Sequence, residues 1–268
     1  MTGVGDPAAT VRRMRVLVTN DDGVEAPGLR ALARAFAAGG HEVVVVAPDG
    51  EQSGAGAGIG RLHRSGPIGW TAVDWPDLPG VDVHALATLP AAAVYVGTLG
   101  GFGPRPDVVA SGVNRGLNTG HLVLHSGTVG AALTAAVLGL PALAVSIGWG
   151  DEEQWDTAAA YAAAALGWVA GSGGVLNLNV PNLPLDEVLG VRPARLADFA
   201  ERWSGTRRSG EVVLAYDGHY HDPDADTDLA VVRAGYAAVT RLTGLSGTPA
   251  VDAAEAIAAA RAEPRAVR

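Results

Sequence analysis

The chain contains no cysteine, few aromatic residues, no long apolar run and no strongly basic segment. The absence of cysteine excludes disulfide bonds, thiolate nucleophiles and zinc–thiolate sites. The absence of any run of roughly 18 apolar residues predicts that the chain does not span a membrane. A net charge of -9, with basic residues only in short pairs such as Arg12-Arg13, argues against a nucleic-acid polymer as a partner. A small anionic ligand remains compatible where a metal ion or backbone N–H groups supply positive charge.

Residues 1–13 lack the apolar core of a signal peptide, and we expect them to form a disordered tail on a cytoplasmic protein. The whole chain is 48% hydrophobic and 18% charged, which is typical of a globular protein. Residues 14–268 are enough for one large domain, and we predict that they form a single α/β domain.

Short apolar runs alternate with helical segments up to residue 180. The runs are rich in β-branched residues and show no polar alternation, which is typical of parallel strands buried on both faces. We predict strands at 15–19, 42–47, 81–86, 107–111, 141–147 and 175–180. Helices are predicted at 27–38, 90–99, 128–138 and 157–169. This order predicts an α/β fold with a mostly parallel sheet and helices on both faces.

The pattern changes after about residue 185. Strand-like segments lie at 191–196, 211–216 and 236–242, with a polar stretch at 219–228. We predict that an extended β-hairpin or arm lies within about 185–245. A last helix is predicted at about 251–262, before Pro264.

Polar groups follow three of the predicted strands. Asp21 and Asp22 follow the first strand, Ser53 lies in the loop after the second, and Asn114 lies after the strand at 107–111. Because the carboxyl ends of parallel strands meet at one edge of a sheet, these side chains are expected to lie together. Carboxylate, hydroxyl and amide oxygens are hard ligands that suit Mg²⁺, Mn²⁺ or Ca²⁺. Each group alone is also explained as ordinary turn chemistry, and only their convergence indicates a site.

His125, Ser126, Gly127 and Thr128 lead into a predicted helix. A serine or threonine at such a position is typical of a helix cap. The same position is also an anion site, because the first backbone N–H groups and the positive end of the helix dipole face outward. Near a divalent cation, this helix start predicts a phosphate-binding site.

These motifs occur together in the order typical of one known family. The sequence resembles the SurE survival-protein family, metal-dependent 5'/3'-nucleotidases that act on nucleoside monophosphates. The matching stretches are VLVTNDDGVEAPGLRALA (16–33), VVAPDGEQSGAG (45–56), RPDVVASGVNRGLNTG (105–120), HSGTVGAAL (125–133), GLPALAVS (139–146) and LNLNVPNLP (176–184). The resemblance extends over roughly residues 14–245.

The resemblance implies a Rossmann-like α/β core with a C-terminal hairpin or arm that is exchanged between the subunits of a homodimer or homotetramer. It implies one Mg²⁺ or Mn²⁺ per subunit and a small phosphorylated substrate. The implied metal ligands are Asp21, Asp22, Ser53 and Asn114. Of these, the two aspartates are also the implied catalytic residues. The implied phosphate-binding residues are Asn118, Ser126, Gly127 and Thr128.

Two chemistries are compatible with this set of residues. In one, Asp21 or Asp22 accepts a proton from the attacking water. In the other, one of these aspartates attacks the phosphorus and forms an aspartyl-phosphate. His125 lies beside the phosphate loop, and histidine is a residue type that often acts as a general acid. A loop histidine is usually structural, however, and we assign no catalytic role to it or to His121, His219 and His221.

The sequence departs from the family pattern around the site. The stretch at 88–94 (TLPAAAV) lacks an Asp and a Cys of the family, and the loop at 54–60 (GAGAGIG) is glycine-rich where the family has Ser and Thr. His125 replaces a Tyr, and Thr134-Ala135 replace a Glu-Gly pair. These departures leave two alternatives to a nucleotidase. One is the same phosphatase chemistry on a non-nucleotide phosphorylated metabolite of a specialised pathway, and the other is a non-catalytic SurE-like binding protein.

Two other features bear on the ligand. The glycines of 54–60 resemble a dinucleotide fingerprint, but the residues after them make a poor helix start, so we do not predict an oxidoreductase. Five tryptophans are candidates for a wall that binds a base or a sugar, although packing in a core or an interface is the more common role of tryptophan. They are Trp70, Trp75, Trp149, Trp155 and Trp203.

Overall fold

A computed structural model describes residues 12–60, 62, 66–198, 201–219 and 222–243. The elements of the first half are β1 (Arg15–Thr19), α1 (Pro27–Ala38), β2 (Glu42–Pro48), β3 (Trp70–Ala72), β4 (Asp82–Leu86), α2 (Pro90–Thr98) and β5 (Val108–Arg115). They are followed by a 3₁₀ helix (Gly120–Leu124), α3 (Gly127–Val137), β6 (Ala142–Ile147), α4 (Trp155–Ser172), β7 (Val175–Val180) and β8 (Val191–Pro193). The last elements are β9 (Glu201–Arg208), β10 (Glu211–His219), α5 (Asp228–Arg233) and β11 (Ala237–Leu242). Among the helices in these ranges, none has the length and apolar character needed to cross a membrane.

Nine strands form one sheet in the order β3-β4-β2-β1-β5-β6-β7-β11-β8. The six strands from β4 to β7 in this order are parallel. The strands β3 and β11 are antiparallel to their neighbours β4 and β7. The parallel part has the strand order of a doubly wound, Rossmann-like fold, and this order reverses between β1 and β5. The predicted fold class is confirmed, and the reversal marks the place where such folds bind ligands.

Alternate residues of the central strands pack on opposite faces of the sheet. On one face, Val16 and Val18 of β1 belong to a cluster with Phe36 of α1, and α4 covers the same face. On the other face, Leu17 belongs to a cluster that includes Val129 of α3. Because both faces of the strand are buried, β1 has no polar side, which explains the unbroken apolar run in the sequence.

The strands β9 and β10 form a separate antiparallel hairpin where the sequence predicts an arm. The hairpin carries exposed apolar side chains, including Val212 and Leu214. After it, α5 and β11 return to the main sheet, where β11 pairs with β7. Val231 and Val232 of α5 pack on Ala238 of β11 and hold this return in place.

Several boundaries differ from the sequence prediction. The sequence does not predict β3, β9 or α5, because each is short or lacks an apolar repeat. The strand β5 continues to Arg115, so Asn114 lies within the strand and not in the loop after it. The strand β8 ends at Pro193, earlier than predicted. The predicted helix at 251–262 and residues 1–11 of the predicted tail lie outside the described residues.

Candidate active site

The polar groups that follow β1, β2 and β5 line one cleft at the carboxyl edge of the sheet, next to the reversal of strand order. The cleft has a volume of about 450 Å³. Its walls include Asp21, Asp22, Ser53, Asn114, Asn118 and Ser126. The other two predicted site residues, Gly127 and Thr128, lie at the start of α3 and contact Asp21. The structure therefore brings all the predicted site residues together.

Asp21 is buried and faces the start of α3. The hydroxyl of Thr128 donates a hydrogen bond of 2.5 Å to Asp21 Oδ1. A Cβ at Gly127 would lie 2.7 Å from Asp21 Oδ2, so this close approach requires glycine. Burial raises the pKa of Asp21, while the hydrogen bonds from Thr128 and from nearby backbone N–H groups oppose the rise. Part of the positive field of the helix start is thus already directed at a carboxylate of the protein.

Asp22 is partly buried, and its surroundings disfavour its charged form. Burial, followed by the negative charge of Asp21, raises the pKa of Asp22 to about 7, and Glu51 adds to the rise. The backbone N–H and the charge of Arg115 act in the opposite direction. Asp22 Oδ2 is buried and has no hydrogen-bond partner among the described residues. Two adjacent carboxylates in this state fit a divalent cation, which would neutralise them and occupy the free oxygen.

Ser53 and Asn114 bring a hydroxyl and an amide to the same cleft. Ser53 Oγ donates a hydrogen bond of 2.9 Å to Glu51 Oε1, and Asn114 Nδ2 donates one of 2.7 Å to the carbonyl of Gly116. These bonds orient both groups without using their acceptor oxygens. Within the described ranges, no group of three or more Asp, Glu, His or Cys side chains is arranged to hold a metal ion. A cation here would therefore need the hydroxyl and amide oxygens as well, and such a set suits Mg²⁺ or Mn²⁺.

Glu51 is a residue of the cleft that the sequence reasoning misses. Its carboxylate lines the cleft, accepts the hydrogen bond from Ser53 and acts on the pKa of Asp22. The only signal in the sequence is an acidic residue in a loop that already contains a predicted ligand. Acidic residues are so common in loops that this signal does not single out Glu51.

Ser126 both caps α3 and lines the cleft. Its Oγ accepts a hydrogen bond of 3.0 Å from the N–H of Val129, which is the cap interaction. The glycine-rich loop after β2 packs against this helix start. The N–H of Gly56 donates to the carbonyl of His125 at 3.1 Å, and a Cβ at Gly130 would lie 2.2 Å from the carbonyl oxygen of Gly56. The absence of a side chain at Gly130 of α3 therefore allows this close contact with the loop.

Asn118 is held in the cleft by three side chains of β6 and β7. Its N–H donates to Asn179 Oδ1 at 2.8 Å, and its carbonyl accepts from Nδ2 of Asn177 at 2.8 Å and of Asn179 at 3.0 Å. Its own Nδ2 donates to Ser146 Oγ at 2.7 Å. Ser146, Asn177 and Asn179, here named the β6–β7 polar cluster, are fully buried, so these hydrogen bonds are shielded from water.

The β6–β7 polar cluster is in register with Asn114, one of the predicted cation ligands. Asn114 of β5 pairs with Ser146, which in turn pairs with Asn179.

A second anchor of the loop between β5 and α3 is Asp228, a buried residue of α5 that sequence reasoning does not find. Its carboxylate accepts hydrogen bonds of 2.9 Å from the N–H groups of Gly120 and Ala197. The loop between β5 and α3 is thus fixed at two points.

One of the five candidate tryptophans, Trp149, lines the cleft. Trp75 is buried in the core, and Trp155 packs against that core. Trp70 lies in the edge strand β3, and Trp203 lies in the β9–β10 hairpin. Of these five candidates for a wall that binds a base or a sugar, Trp149 is therefore the one that lines the cleft.

The candidate histidines are dispersed. His125 lines the cleft, and His121 is exposed in the 3₁₀ helix. His219 belongs to β10, and His221 lies outside the described residues. No pair of these histidines is brought together in the cleft by the described part of the chain, and a general acid remains unassigned.

The fold and the cleft define a class: doubly wound α/β proteins whose carboxyl-edge cleft combines oxygen ligands with a capped helix start. Comparison with known proteins then gives the family. The profile of the family described as Survival protein SurE matches residues 16–203. A protein of Cronobacter sakazakii named 5'/3'-nucleotidase SurE is 39% identical over 249 residues, which cover 85% of this chain and 90% of that protein.

Two further comparisons agree. A protein of Aeromonas hydrophila named 5'-nucleotidase SurE is 36% identical over 247 residues, which cover 86% of this chain and 92% of that protein. The crystal structure of the SurE protein from Aquifex aeolicus matches with a TM-score of 0.75 at 28% identity, and the match covers 92% of this chain and 99% of that one. This chain belongs to the SurE family, and the resemblance seen in the sequence is confirmed.

Proposed function

We propose that this chain is a divalent-metal-dependent phosphatase that hydrolyses nucleoside 5'- and 3'-monophosphates. The observation that carries the proposal is the buried oxygen of Asp22 beside Asp21, which has no hydrogen-bond partner in the described part of the chain and lies in the same cleft as Asn118 and Ser126. That arrangement suits a cation next to a bound phosphate. The family relatives named 5'/3'-nucleotidase support the same reaction and the same substrate class.

One Mg²⁺ or Mn²⁺ per subunit is the proposed cofactor. The residues that would hold it are Asp21, Asp22, Ser53 and Asn114. When bound, such a cation lowers the pKa of a water molecule and neutralises charge on the phosphate. The support for this assignment is the set of oxygen donors described above, which matches the preference of hard cations.

The phosphate is proposed to bind between Asn118 and the start of α3. The Ser126 hydroxyl and the Asn118 amide both line the cleft, and each can donate a hydrogen bond to a phosphate oxygen. Gly127 contributes through the field of the helix start. Thr128 has a second task, because its hydroxyl holds Asp21 in one orientation.

In the proposed reaction, a water oxygen attacks phosphorus, the bond from phosphorus to the nucleoside oxygen breaks, and the nucleoside leaves as an alcohol. Asp21 or Asp22 accepts the proton of the attacking water. The competing route passes through an aspartyl-phosphate. A nucleoside thiophosphate made chiral by oxygen-isotope labelling, hydrolysed in isotope-labelled water, separates the two, because direct attack inverts the configuration at phosphorus and two successive displacements retain it.

A panel of phosphomonoesters assayed with Mg²⁺, Mn²⁺ and Co²⁺ tests the function. We expect hydrolysis of 5'-AMP and 3'-AMP, and loss of activity in EDTA. A strong preference for a phosphorylated metabolite that has no base would support the proposed phosphatase chemistry and contradict the proposed substrate class. Nucleotide binding without hydrolysis under all three cations would contradict the proposed enzyme and favour a binding protein.

The protein is further proposed to form a homodimer or homotetramer with exchange of the β9–β10 hairpin. The support is that Val212, Val213 and Leu214 are exposed next to one another on this hairpin, because contiguous exposed apolar side chains are typical of a surface that a partner covers. Light scattering of the wild type and of Leu214→Arg tests this, and an unchanged mass would contradict it. The cytoplasmic location expected from the sequence stays a prediction.

A further inference from the structure

Trp149 is exposed although it lies in a cleft lined by polar groups. It sits in the loop between β6 and α4 and is 69% exposed. The same cleft contains Asn118 and Ser126, the residues proposed to bind phosphate. Single exposed apolar side chains are common on protein surfaces, so exposure alone does not indicate a ligand. What distinguishes Trp149 is that it lines the same cleft as these polar groups.

The Trp149 indole is held in place by its neighbours without being buried by them. Gly116 has a φ of +108°, and a Cβ there would lie 2.7 Å from the indole Nε1, so the backbone approaches the ring closely. The guanidinium carbon of Arg115 lies 4.9 Å from the ring centroid. Glu153, whose side chain is only 11% exposed, binds Arg115 Nε at 2.5 Å. The ring is therefore oriented before any ligand arrives, which lowers the entropy cost of binding.

The lining of the cleft thus combines two chemically different parts. One part is a set of hydrogen-bond donors and oxygen donors, and the other is an oriented aromatic ring. A nucleoside monophosphate has the same two parts, an anionic phosphate and a flat base. The cleft volume of about 450 Å³ also lies within the range of roughly 300–1,000 Å³ that is usual for small-ligand pockets.

We propose that Trp149 stacks on the base of the nucleoside monophosphate and is the residue by which this cleft distinguishes nucleotides from phosphorylated sugars. The proposal rests on the proposed function, because it needs the phosphate at Asn118 and Ser126. Every base has a flat face, so stacking favours nucleotides as a class without selecting one base. Arg115 and Glu153 are positioning residues for the ring.

The test compares 5'-AMP with ribose 5-phosphate, which has the sugar and phosphate but no base. Stacking acts equally on the bound substrate and the transition state, so its loss should change KM and not kcat. We expect Trp149→Ala to raise KM for 5'-AMP by roughly tenfold or more and to change KM for ribose 5-phosphate by less than about twofold. Trp149→Phe keeps a stacking ring and should restore most of the loss.

Trp168→Ala is the matched control, because Trp168 is 54% exposed on α4 and is not among the residues that line the cleft. This variant should change neither KM. Equal KM increases for both substrates in Trp149→Ala, or no change for 5'-AMP, would overturn the stacking proposal while leaving the phosphatase intact. Failure of the wild type to hydrolyse either ester would instead refute the proposed function.

In that last case, calorimetric titration with the two compounds still decides the role of Trp149. Tighter binding of 5'-AMP than of ribose 5-phosphate, lost in Trp149→Ala and kept in Trp149→Phe, would support stacking. Equal affinity of the wild type for both compounds would overturn it.

Discussion

The cleft has two halves: the cation half beside β1, where a cation is proposed to bind, and the half beside β7. The polar groups of the two halves find hydrogen-bond partners in different ways. Beside β1, Asp21 and Asp22 are close carboxylates with raised pKa, and one oxygen has no partner among the described residues. Beside β7, the N–H, the carbonyl and the side chain of Asn118 are all hydrogen-bonded to the β6–β7 polar cluster. The chain thus leaves negative charge unbalanced where a cation is proposed to bind. Where the substrate phosphate is proposed to bind, it anchors Asn118 with buried hydrogen bonds.

The largest expected effect comes from removing a carboxylate of the first half. Asp21→Ala removes a proposed cation ligand and the acceptor of the Thr128 hydroxyl, so we expect kcat with saturating Mn²⁺ to fall by about 1,000-fold or more. Circular dichroism should show that the fold is kept. Asp186→Ala, which removes an exposed carboxylate elsewhere, is the control and should keep normal activity. Near-normal turnover of Asp21→Ala would mean that the cation half is wrongly assigned.

The second effect tests whether the other half is independent of the cation. Asn179→Leu leaves the N–H of Asn118 without its partner, so the free energy of unfolding should fall by about 2–4 kcal/mol. Misplacement of Asn118 should lower kcat/KM by roughly 10–100-fold. The Kd for Mn²⁺, measured by calorimetry, should change by less than about threefold, since no ligand is touched.

Ser172→Ala is the control for that experiment. Ser172 is only partly buried at the end of α4, and its Oγ donates a hydrogen bond of 3.0 Å to the carbonyl of Val169. This variant should lose some stability and keep kcat/KM. A parallel loss of Mn²⁺ affinity in Asn179→Leu would show that the two halves are not separate.

The third effect concerns pH. The pKa of Asp22 is raised from 3.8 to about 7 in the folded protein, so the folded state holds this proton more tightly than the unfolded state. In EDTA, stability should therefore decrease as pH rises from about 4 to about 7, and Asp21 shifts in the same direction. Asp22→Asn should weaken this pH dependence in thermal unfolding scans. An identical dependence of stability on pH in the variant would show that the Asp22 carboxyl is not the group whose raised pKa causes it.

The smallest effect is expected from Glu51. Its charge lies near the aspartates but its side chain is exposed, so water screens it. Glu51→Gln should weaken Mn²⁺ binding by roughly 2–10-fold, with kcat at saturating Mn²⁺ changed by less than about twofold. The exposed Glu187, changed to Gln, is the matched control and should leave the Kd unchanged. Tighter Mn²⁺ binding in Glu51→Gln would contradict a cation held by charge.

The parallel sheet was predictable from the sequence, and so was the side of the cleft that contains the predicted cation ligands. Buried parallel strands produce unbroken apolar runs, and the chain direction then places every strand end on one edge. Asp21 and Asp22 closely follow one such run, and Ser53 lies in the loop after the next one. The bonds within the site were not predictable, because they join distant positions. Thr128 and Asp21 are 107 residues apart, and Asn118 and Asn179 are 61 apart.

The β6–β7 polar cluster shows why the second half was harder to predict. In the sequence, Asn177 and Asn179 look like polar interruptions of an apolar strand, and only the fold shows which backbone they bind. Asp228 is similar, since its partners lie in the 3₁₀ helix after β5 and in the loop after β8. Short elements such as β3 and α5 depend on packing against longer neighbours and have too few residues for a periodic signal.

The loop that carries Trp149 has a consequence for how this protein can be altered. It connects β6 to α4, whereas the proposed hydrolytic groups are carried by β5, by the loops after β1, β2 and β5, and by the start of α3. Grafting a different β6–α4 loop should therefore redirect the enzyme to other esters while its cleavage machinery is retained. The same separation gives evolution a route to new substrates by local sequence drift.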